Sequence, residues 1–315
     1  MRGTLARTLA ELASTRDDIL LLTADLGFMA LEPFSDPHPT KFFNVGVSEQ
    51  NMIGMATGLA EAGFKPYTYS IATFATLRPY EFIRNGPVAH HVPVRIVGVG
   101  AGFEYGTAGN THHCIEELAA LRPMSGLTIV SPADAQQARS AFLATVDHPG
   151  PIYFRLSKDD KTLVPGLDGR FELGRADTIR NGGDCVFVTI GLITAEVVKA
   201  ATLLAQSHGI ESSIVVVSSI NPTPDVDILA AIGNARLAIT VEEHSISGGL
   251  GSLVCELVAE NSLATRVVRC GVRGAPPART GSHRFYLDAC DLTAEKLAQT
   301  VVTEVAKERV ATNGA

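Results

Sequence analysis

The sequence predicts an α/β protein of two domains, each a mainly parallel sheet with helices on both faces. Its 315 residues suffice for two domains at about 100–200 residues each. Runs rich in valine and isoleucine alternate with alanine- and leucine-rich stretches of helical length, and the chain is rich in glycine. Such alternation with short links is typical of parallel sheets covered by helices.

Residues 1–160 complete the first series of strands and helices, and we predict them as the first domain. Apolar runs predict strands near residues 19–23, 42–44, 66–70, 94–99, 128–131 and 152–154. Helical patterns cover residues 4–13, 49–61, 73–84, 115–121 and 133–146. Ser48 has the chemistry of an N-cap, Gly63 ends the helix that follows it, and Pro79 is expected to kink the helix 73–84.

A polar, turn-rich stretch follows, and we predict residues 161–183 as a linker. The alternation then restarts, which predicts a second α/β domain over residues 184–315. Its expected strands are residues 185–190, 213–217, 236–241 and 265–270, and its expected helices are residues 194–207, 225–232, 249–260 and 293–307.

Composition excludes several classes of protein. The formal net charge is −7 and no basic tract occurs, which argues against a nucleic acid partner. The five cysteines form no CxxC pair, which argues against a disulfide framework and a cysteine-based zinc site. No apolar run reaches the roughly 18 residues of a membrane span, and the N-terminus has no apolar signal segment. We therefore expect a cytoplasmic protein without membrane association.

Glu49 opens a predicted helix that also contains Gly54 and Gly58. Taken alone, an acid in the first turn of a helix is more often structural, because the helix dipole stabilises it there. Two glycines four residues apart weaken a helix, which suggests that something packs closely against that face. A domain interface, a cofactor or a tight helix contact would each explain them.

Three apolar side chains, those of Phe74, Leu77 and Tyr80, recur at about one helical turn. Such a stripe is ordinarily core, and it becomes the wall of a binding site only if an aromatic ligand is argued independently.

The glycine-rich loop over residues 98–109 leads to Thr111, His112 and His113. Adjacent histidines could bind metal, but no ligand spacing supports this, so we expect no metal site in this chain. One catalytic and one structural histidine is the more economical interpretation. A second Gly-rich turn, within residues 241–252, could bind an anion at a helix start, although an ordinary α/β corner explains it equally.

Together these segments resemble the pyrimidine-binding domain of transketolases. The resemblance is carried by residues 44–54 (NVGVSEQNMIG), 61–67 (EAGFKPY), 78–85 (RPYEFIRN), 93–102 (PVRIVGVGAG) and 109–113 (GNTHH), in matching order and spacing. Residues 184–307 are similar to the transketolase C-terminal domain, with weaker motifs. The chain contains no Gly-Asp-Gly triplet, which in full-length transketolases holds magnesium on the cofactor's diphosphate.

The resemblance therefore implies the C-terminal subunit of a split transketolase that uses thiamine diphosphate. A separate N-terminal subunit would carry the diphosphate and Mg²⁺ site, in an expected α2β2 assembly. The implied reaction moves a two-carbon ketol unit between sugar phosphates.

The resemblance to transketolases implies roles for individual residues of this sequence. Glu49 matches the catalytic glutamate that hydrogen-bonds the cofactor's aminopyrimidine ring. Phe74, Leu77 and Tyr80 match the wall around that ring. His112 matches the histidine that contacts the donor sugar and assists catalysis.

Two further residues are matched to the substrate. Asp25 lies in a segment near the active-site entrance, and Lys158 falls where full-length enzymes often place an arginine for the sugar phosphate. The pattern departs from the family at Ala108, where many members have an aspartate, and at Asn110, where proline is usual. The substrate could therefore be a sugar outside the pentose-phosphate set.

Two other hypotheses remain at this point. One is another thiamine diphosphate enzyme, either a 2-oxo acid dehydrogenase β subunit or a deoxyxylulose-phosphate-synthase-like subunit. The segments around Thr111 and Arg78 favour transketolase over both. The other is a non-catalytic scaffold or regulatory subunit, against which the retention of Glu49 and His112 argues.

Overall fold

The computed structural model describes residues 1–313, so the last two residues of the predicted second domain lie outside it. The strands, in chain order, are β1 (Ile19–Thr23), β2 (Phe42–Asn44), β3 (Lys65–Ile71), β4 (Arg95–Val99), β5 (Thr128–Val130), β6 (Ile152–Leu156), β7 (Ala176–Arg180), β8 (Cys185–Ile190), β9 (Ser212–Val217), β10 (Ser219–Asn221), β11 (Leu237–Ser245) and β12 (Arg266–Val272).

The α-helices lie between and around these strands. They are α1 (Arg2–Ala13), α2 (Glu32–Ser35), α3 (Glu49–Glu61), α4 (Ala72–Thr76), α5 (Tyr80–Ile83), α6 (Glu117–Leu121), α7 (Ala135–Thr145), α8 (Thr194–His208), α9 (Asp225–Ile232), α10 (Leu250–Glu260), α11 (His283–Ala289) and α12 (Ala294–Asn313).

The first sheet has seven strands in the order β10-β5-β6-β4-β3-β1-β2. All its pairs are parallel except that of β10 with β5. The central strands β1, β4 and β6 are buried along their whole length, since parallel sheets are covered on both faces. β10 comes from the second half of the chain, and its three residues gave no separate strand signal.

The second sheet has five strands in the order β12-β11-β8-β9-β7, and only β7 runs antiparallel, beside β9. The predicted α/β class with two mainly parallel sheets is confirmed. β7 lies inside the segment 161–183 that we predicted as a linker. Its residues are polar and half exposed at the edge of the sheet, so no apolar run marked it. The domain boundaries themselves stay a prediction.

The helices differ from expectation at several points, and the short α2 was not predicted. The helix predicted over residues 73–84 is divided, because α4 ends at Thr76 and α5 begins at Tyr80, directly after Pro79. Proline has no N–H to donate to the preceding turn, so it favours a break at this point. The helix α11 was not predicted; the Ser282 hydroxyl caps it by accepting from the Phe285 N–H at 3.1 Å.

A buried ion pair of the first domain is also hydrogen-bonded to a strand of the second sheet. The Arg155 guanidinium on β6 contacts the Glu117 carboxylate on α6, and both side chains are buried. Arg155 also donates to the carbonyl oxygens of Cys114, at 3.2 Å, and of Glu243 on β11, at 3.0 Å. Burial opposes ionisation of Glu117, but Arg155 outweighs it, and the pKa of Glu117 lies below its usual range.

We expect Glu117→Gln to lower the free energy of unfolding by about 3–5 kcal/mol, because it leaves the buried Arg155 cation without its anionic partner. Thermal unfolding of the full chain measures this. The exposed neighbour Glu116, changed to Gln, is the matched control and should shift stability by less than about 0.5 kcal/mol. Since the pKa of Glu117 is lowered in the folded state, the difference between wild type and Glu117→Gln should shrink as the pH falls through the acid range.

Candidate active site

The candidate site residues follow the carboxyl ends of parallel strands of the first sheet. Asp25 follows β1, Glu49 follows β2, Phe74 follows β3, His112 follows β4 and Lys158 follows β6. In open α/β sheets, ligands bind at this edge, because the loops there converge. The topology therefore brings five separate sequence segments to one side of the sheet.

Glu49 is the most buried acid of this edge, with 2% of its surface exposed. The Ser70 hydroxyl donates to its Oε1 at 3.2 Å. One guanidinium nitrogen of Arg78 donates to both carboxylate oxygens, at 3.1 and 3.0 Å. Glu49 also stands in the first turn of α3, where the helix dipole favours an anion. The carboxylate is thus fixed in position by charge and by hydrogen bonds.

Phe74 links Glu49 to His112. The Arg78 guanidinium lies 3.7 Å from the centre of the Phe74 ring, in a cation–π contact. On the other side, the His112 ring meets Phe74 at 5.0 Å between ring centres, with 65° between their planes. A carboxylate, an aromatic face and an imidazole therefore converge on one small surface.

Tyr80 lies in α5, beyond the break at Pro79, so the single helix face expected for Phe74, Leu77 and Tyr80 does not extend to it. Leu77 is the C-cap residue of α4 and keeps helical backbone angles. Leu77 is 42% exposed. The Tyr80 hydroxyl donates to the carbonyl oxygen of Ala120 at 3.0 Å, and its ring packs on the core. Their roles as part of a ring-binding wall stay a prediction.

The two adjacent histidines have different surroundings. His112 lies in a 3-10 turn, with Nδ1 2.9 Å from the Thr111 hydroxyl. His113 is buried beside the rings of Phe103 and Tyr286, edge-on to both, and neither of its ring nitrogens has a hydrogen-bond partner among the described residues. Burial lowers the pKa of His113, which favours the neutral ring. The pair therefore divides into one histidine at the site and one in the core.

Lys158 and Asp25 lie at the margins of the site. The Lys158 ammonium donates to the carbonyl oxygen of Glu104 at 3.0 Å and lies 4.1 Å above the Tyr105 ring. Asp25 is exposed and is tied to Asn44: its N–H donates to Asn44 Oδ1, and Asn44 Nδ2 donates back to its carboxylate, both at 3.0 Å. These hydrogen bonds connect Asp25 to β2 rather than to Glu49.

Sequence reasoning missed three residues that complete this arrangement. Arg78 and Ser70 hold Glu49, and the Tyr105 ring lies between Lys158 and His112, 6.1 Å from the latter. Arg78 opens the family-like segment 78–85, so its charge next to a predicted ring-binding segment was an available signal. Ser70 and Tyr105 carried none.

An exposed apolar surface borders the site. Phe28 and Met29, after β1, are 86% and 80% exposed, and Val47, just before α3, is 72% exposed. On α3 itself, a Cβ built at Gly54 or Gly58 would meet nothing within 4 Å in the described part of the chain, apart from the helix's own backbone. Apolar patches of this kind mark interaction surfaces.

Within residues 1–313, no group of three or more His, Cys, Asp and Glu side chains is placed to hold a metal ion. The same residues contain no helix long and apolar enough to cross a membrane. All five cysteines are unpaired.

Comparisons with known proteins give the class to which this fold and site belong. Residues 1–162 match the family described as transketolase, pyrimidine binding domain, and residues 174–296 match transketolase, C-terminal domain. A solved structure of a split gene transketolase, an inactive β4 tetramer, is 32% identical with a TM-score of 0.85, and each chain covers 97% of the other.

Two curated relatives distinguish between types of protein within this class. One of the subunits of the apulose-4-phosphate transketolase of Phocaeicola vulgatus is 33% identical over 290 residues, which are 90% of this chain and 91% of that protein. The 1-deoxy-D-xylulose-5-phosphate synthase of Pelotomaculum thermopropionicum is 31% identical over 309 residues, but these are 48% of that enzyme. This chain belongs to the transketolase family, as a transferase subunit of the split type. Membership in this family implies dependence on thiamine diphosphate.

Proposed function

We propose that this chain supplies the pyrimidine-binding half of a split transketolase that transfers a two-carbon ketol unit between sugar phosphates. The observation that carries the proposal is the buried Glu49 carboxylate at the carboxyl edge of the sheet, connected through Arg78 to Phe74, which in turn contacts His112. This set of groups suits a flat ring with a nitrogen that can share a hydrogen bond. The family resemblance assigns Glu49 and His112 to catalysis and Phe74 to the wall around the cofactor ring.

The residues present fit thiamine diphosphate, which supplies an electron sink for carbon–carbon bond cleavage when bound. Glu49 would hold the hydrogen bond to the aminopyrimidine ring and share a proton with it. Phe74, Leu77 and Tyr80 would supply apolar surface to that ring. The Arg78 guanidinium donates to the Glu49 carboxylate and lies over the Phe74 ring. A cofactor ring bound at this place would therefore compete with that guanidinium.

Substrate contacts belong to the other side of the site. His112 would donate to a hydroxyl of the donor sugar and stabilise charge as the bond breaks. Asp25 would lie at the entrance, and Lys158 would receive the phosphate. The Phocaeicola relative acts on apulose-4-phosphate, and Ala108 and Asn110 already suggest a sugar outside the pentose-phosphate set.

The proposed partner is a separate N-terminal subunit that carries the diphosphate and holds Mg²⁺, in an α2β2 assembly located in the cytoplasm. The open face of α3 and the exposed Phe28, Met29 and Val47 support an interface at the edge of the site. The inactive β4 form of the solved relative supports the same division of labour. The five unpaired cysteines agree with a reducing compartment.

Lys158→Met tests the phosphate assignment. Removing the ammonium should raise the KM for phosphorylated sugars about tenfold or more, because a point charge to phosphate is lost. The KM for the corresponding unphosphorylated sugar should stay within about twofold. Steady-state kinetics of the assembled enzyme measure both. Lys199→Met, on an exposed side of α8, is the matched control; an equal effect on both sugars would refute the assignment.

The proposed function as a whole is tested by a pull-down of the tagged chain from its own cell extract, with magnesium and thiamine diphosphate, read by mass spectrometry. Recovery of a chain that contains a Gly-Asp-Gly sequence supports it. Recovery of lipoyl-domain proteins would favour a 2-oxo acid dehydrogenase instead. Recovery of an intact transketolase that is active without this chain would favour a scaffold or regulatory subunit.

A further inference from the structure

We propose that the second domain positions His112, with Glu243, His283 and Tyr286 holding the glycine-rich loop from behind. The proposal rests on the proposed function, which gives His112 its role at the substrate. Glu243 lies on β11, and His283 and Tyr286 lie on α11. They are positioning residues, because their contacts reach His112 only through the loop.

The loop is closed at its base by a pair of backbone hydrogen bonds. The Gly102 N–H donates to the Cys114 carbonyl, and the Cys114 N–H donates to the Gly102 carbonyl, both at 2.9 Å. Between these residues the chain forms two 3-10 turns, and His112 ends the second of them. Since no long helix or strand fixes His112, its position depends on what holds the loop from outside.

Glu243 holds the base of the loop. Its Oε1 accepts from the Phe103 N–H at 2.6 Å, and His283 Nε2 lies 2.8 Å from the same oxygen. Gly102 has a φ of +62°, and a Cβ there would collide with the Glu243 carboxylate. The carboxylate therefore packs directly on the loop backbone, at a place where only glycine fits.

His283 keeps Glu243 in place through an ion pair. Burial opposes the protonation of His283, but the charge and hydrogen bond of Glu243, aided by Glu104 and Glu196, outweigh it and raise the pKa of His283 to about 9. The imidazolium is consequently retained at neutral pH, and it holds the same carboxylate oxygen that accepts from Phe103.

An aromatic cluster holds both strands of the loop next to its base. The Tyr286 ring stacks on Phe103 at 4.9 Å between centres and 12° between planes. His113 stands edge-on to both rings, at 5.0 Å from Phe103 and 4.6 Å from Tyr286. The Tyr286 hydroxyl also donates to the Arg279 carbonyl at 2.7 Å. His113 is thereby locked, and its neighbour His112 is directed towards Phe74.

The test compares Tyr286→Leu with Tyr286→Phe. Leucine loses the stack on Phe103 and the edge contact with His113, whereas phenylalanine keeps both. We expect Tyr286→Leu to speed amide hydrogen exchange of residues 102–114 in the full chain by about tenfold or more. In the complex with the partner subunit, kcat should fall about 100-fold, since a shift of about 1 Å costs this much. The KM for thiamine diphosphate should stay within about twofold of the wild-type value. Tyr286→Phe should keep the hydrogen exchange of the loop and kcat at their wild-type values.

Two further variants complete the design. Glu256→Gln removes the ion pair between Glu256 on α10 and Arg122, which directly follows α6. This ion pair joins the same two domains away from the loop, so the variant should leave both readouts unchanged. Glu243→Gln keeps an acceptor for the Phe103 N–H and loses the ion pair with His283. It should speed amide hydrogen exchange of the loop several-fold. It also tests the proposal if Tyr286→Leu does not fold. Unchanged loop exchange and kcat in Glu243→Gln and Tyr286→Leu would overturn the proposal. If the variants exchange faster but the wild-type complex performs no ketol transfer, the attachment of the loop is supported and the proposed function is overturned instead.

Discussion

Glu49→Ala should lower the kcat of the assembled enzyme by about 100- to 10,000-fold, the range in which a positioned proton-sharing group contributes to a reaction. The reason is specific to this position. Glu49 is buried, stands at the start of α3 and is held by hydrogen bonds from Ser70 and Arg78, so its carboxylate is fixed in one position. Steady-state ketol transfer with saturating thiamine diphosphate and magnesium measures the loss.

The control lies at the other end of the same helix. Glu61 is exposed and pairs with His90, with 2.9 Å between Oε1 and Nδ1, so Glu61→Ala should retain kcat within about twofold. Glu49→Gln adds a second comparison, because it keeps the shape of the side chain and loses its negative charge. If Glu49→Ala retained full turnover in the complex, the catalytic assignment of this chain would be wrong.

Gly54→Leu should have opposite effects on the isolated chain and on its assembly. In the chain alone, a Cβ at this position meets nothing within 4 Å in the described residues beyond the helix's own backbone. Replacing a helical glycine with a good helix former should therefore raise the free energy of unfolding by about 0.5–1 kcal/mol. Against a closely packed partner, the added side chain should weaken assembly about 10- to 100-fold.

Thermal unfolding of the isolated chain and a titration with the partner subunit give the two readouts. Gln206→Leu places the same side chain on an exposed face of α8 in the second domain, and should leave assembly unchanged. A Gly54→Leu chain that assembles as tightly as the wild type would show that this face of α3 is not the interface. A chain destabilised before assembly would contradict the open geometry around Gly54.

The parts of the fold that the sequence predicts best are those with a local signal. The buried strands β1, β4 and β8 are apolar runs, and α3 has a start at Ser48 and an end at Gly63. Burial on both faces imposes such runs on parallel strands, so the class and the two sheets could be predicted without coordinates. For the same reason β7, a polar edge strand, was assigned to a linker.

The candidate site was predictable only where a motif carried it. Glu49 and His112 lie in segments of recognisable spacing, whereas Arg78 acquires its place next to Glu49 only when α4 ends early. Glu243 lies 140 residues along the chain from Phe103, the loop residue that it holds, and Tyr286 lies farther still. Contacts of that kind leave no local pattern, since they depend on how the two domains pack together.

The central claim is that this chain is one half of an enzyme, and reconstitution tests it most directly. The purified chain and its partner subunit are assayed separately and together for two-carbon transfer between sugar phosphates, with thiamine diphosphate and magnesium. We predict transfer only in the mixture, and weak thiamine diphosphate binding by this chain alone. Full activity of the partner without this chain, or tight cofactor binding by this chain in isolation, would contradict the account.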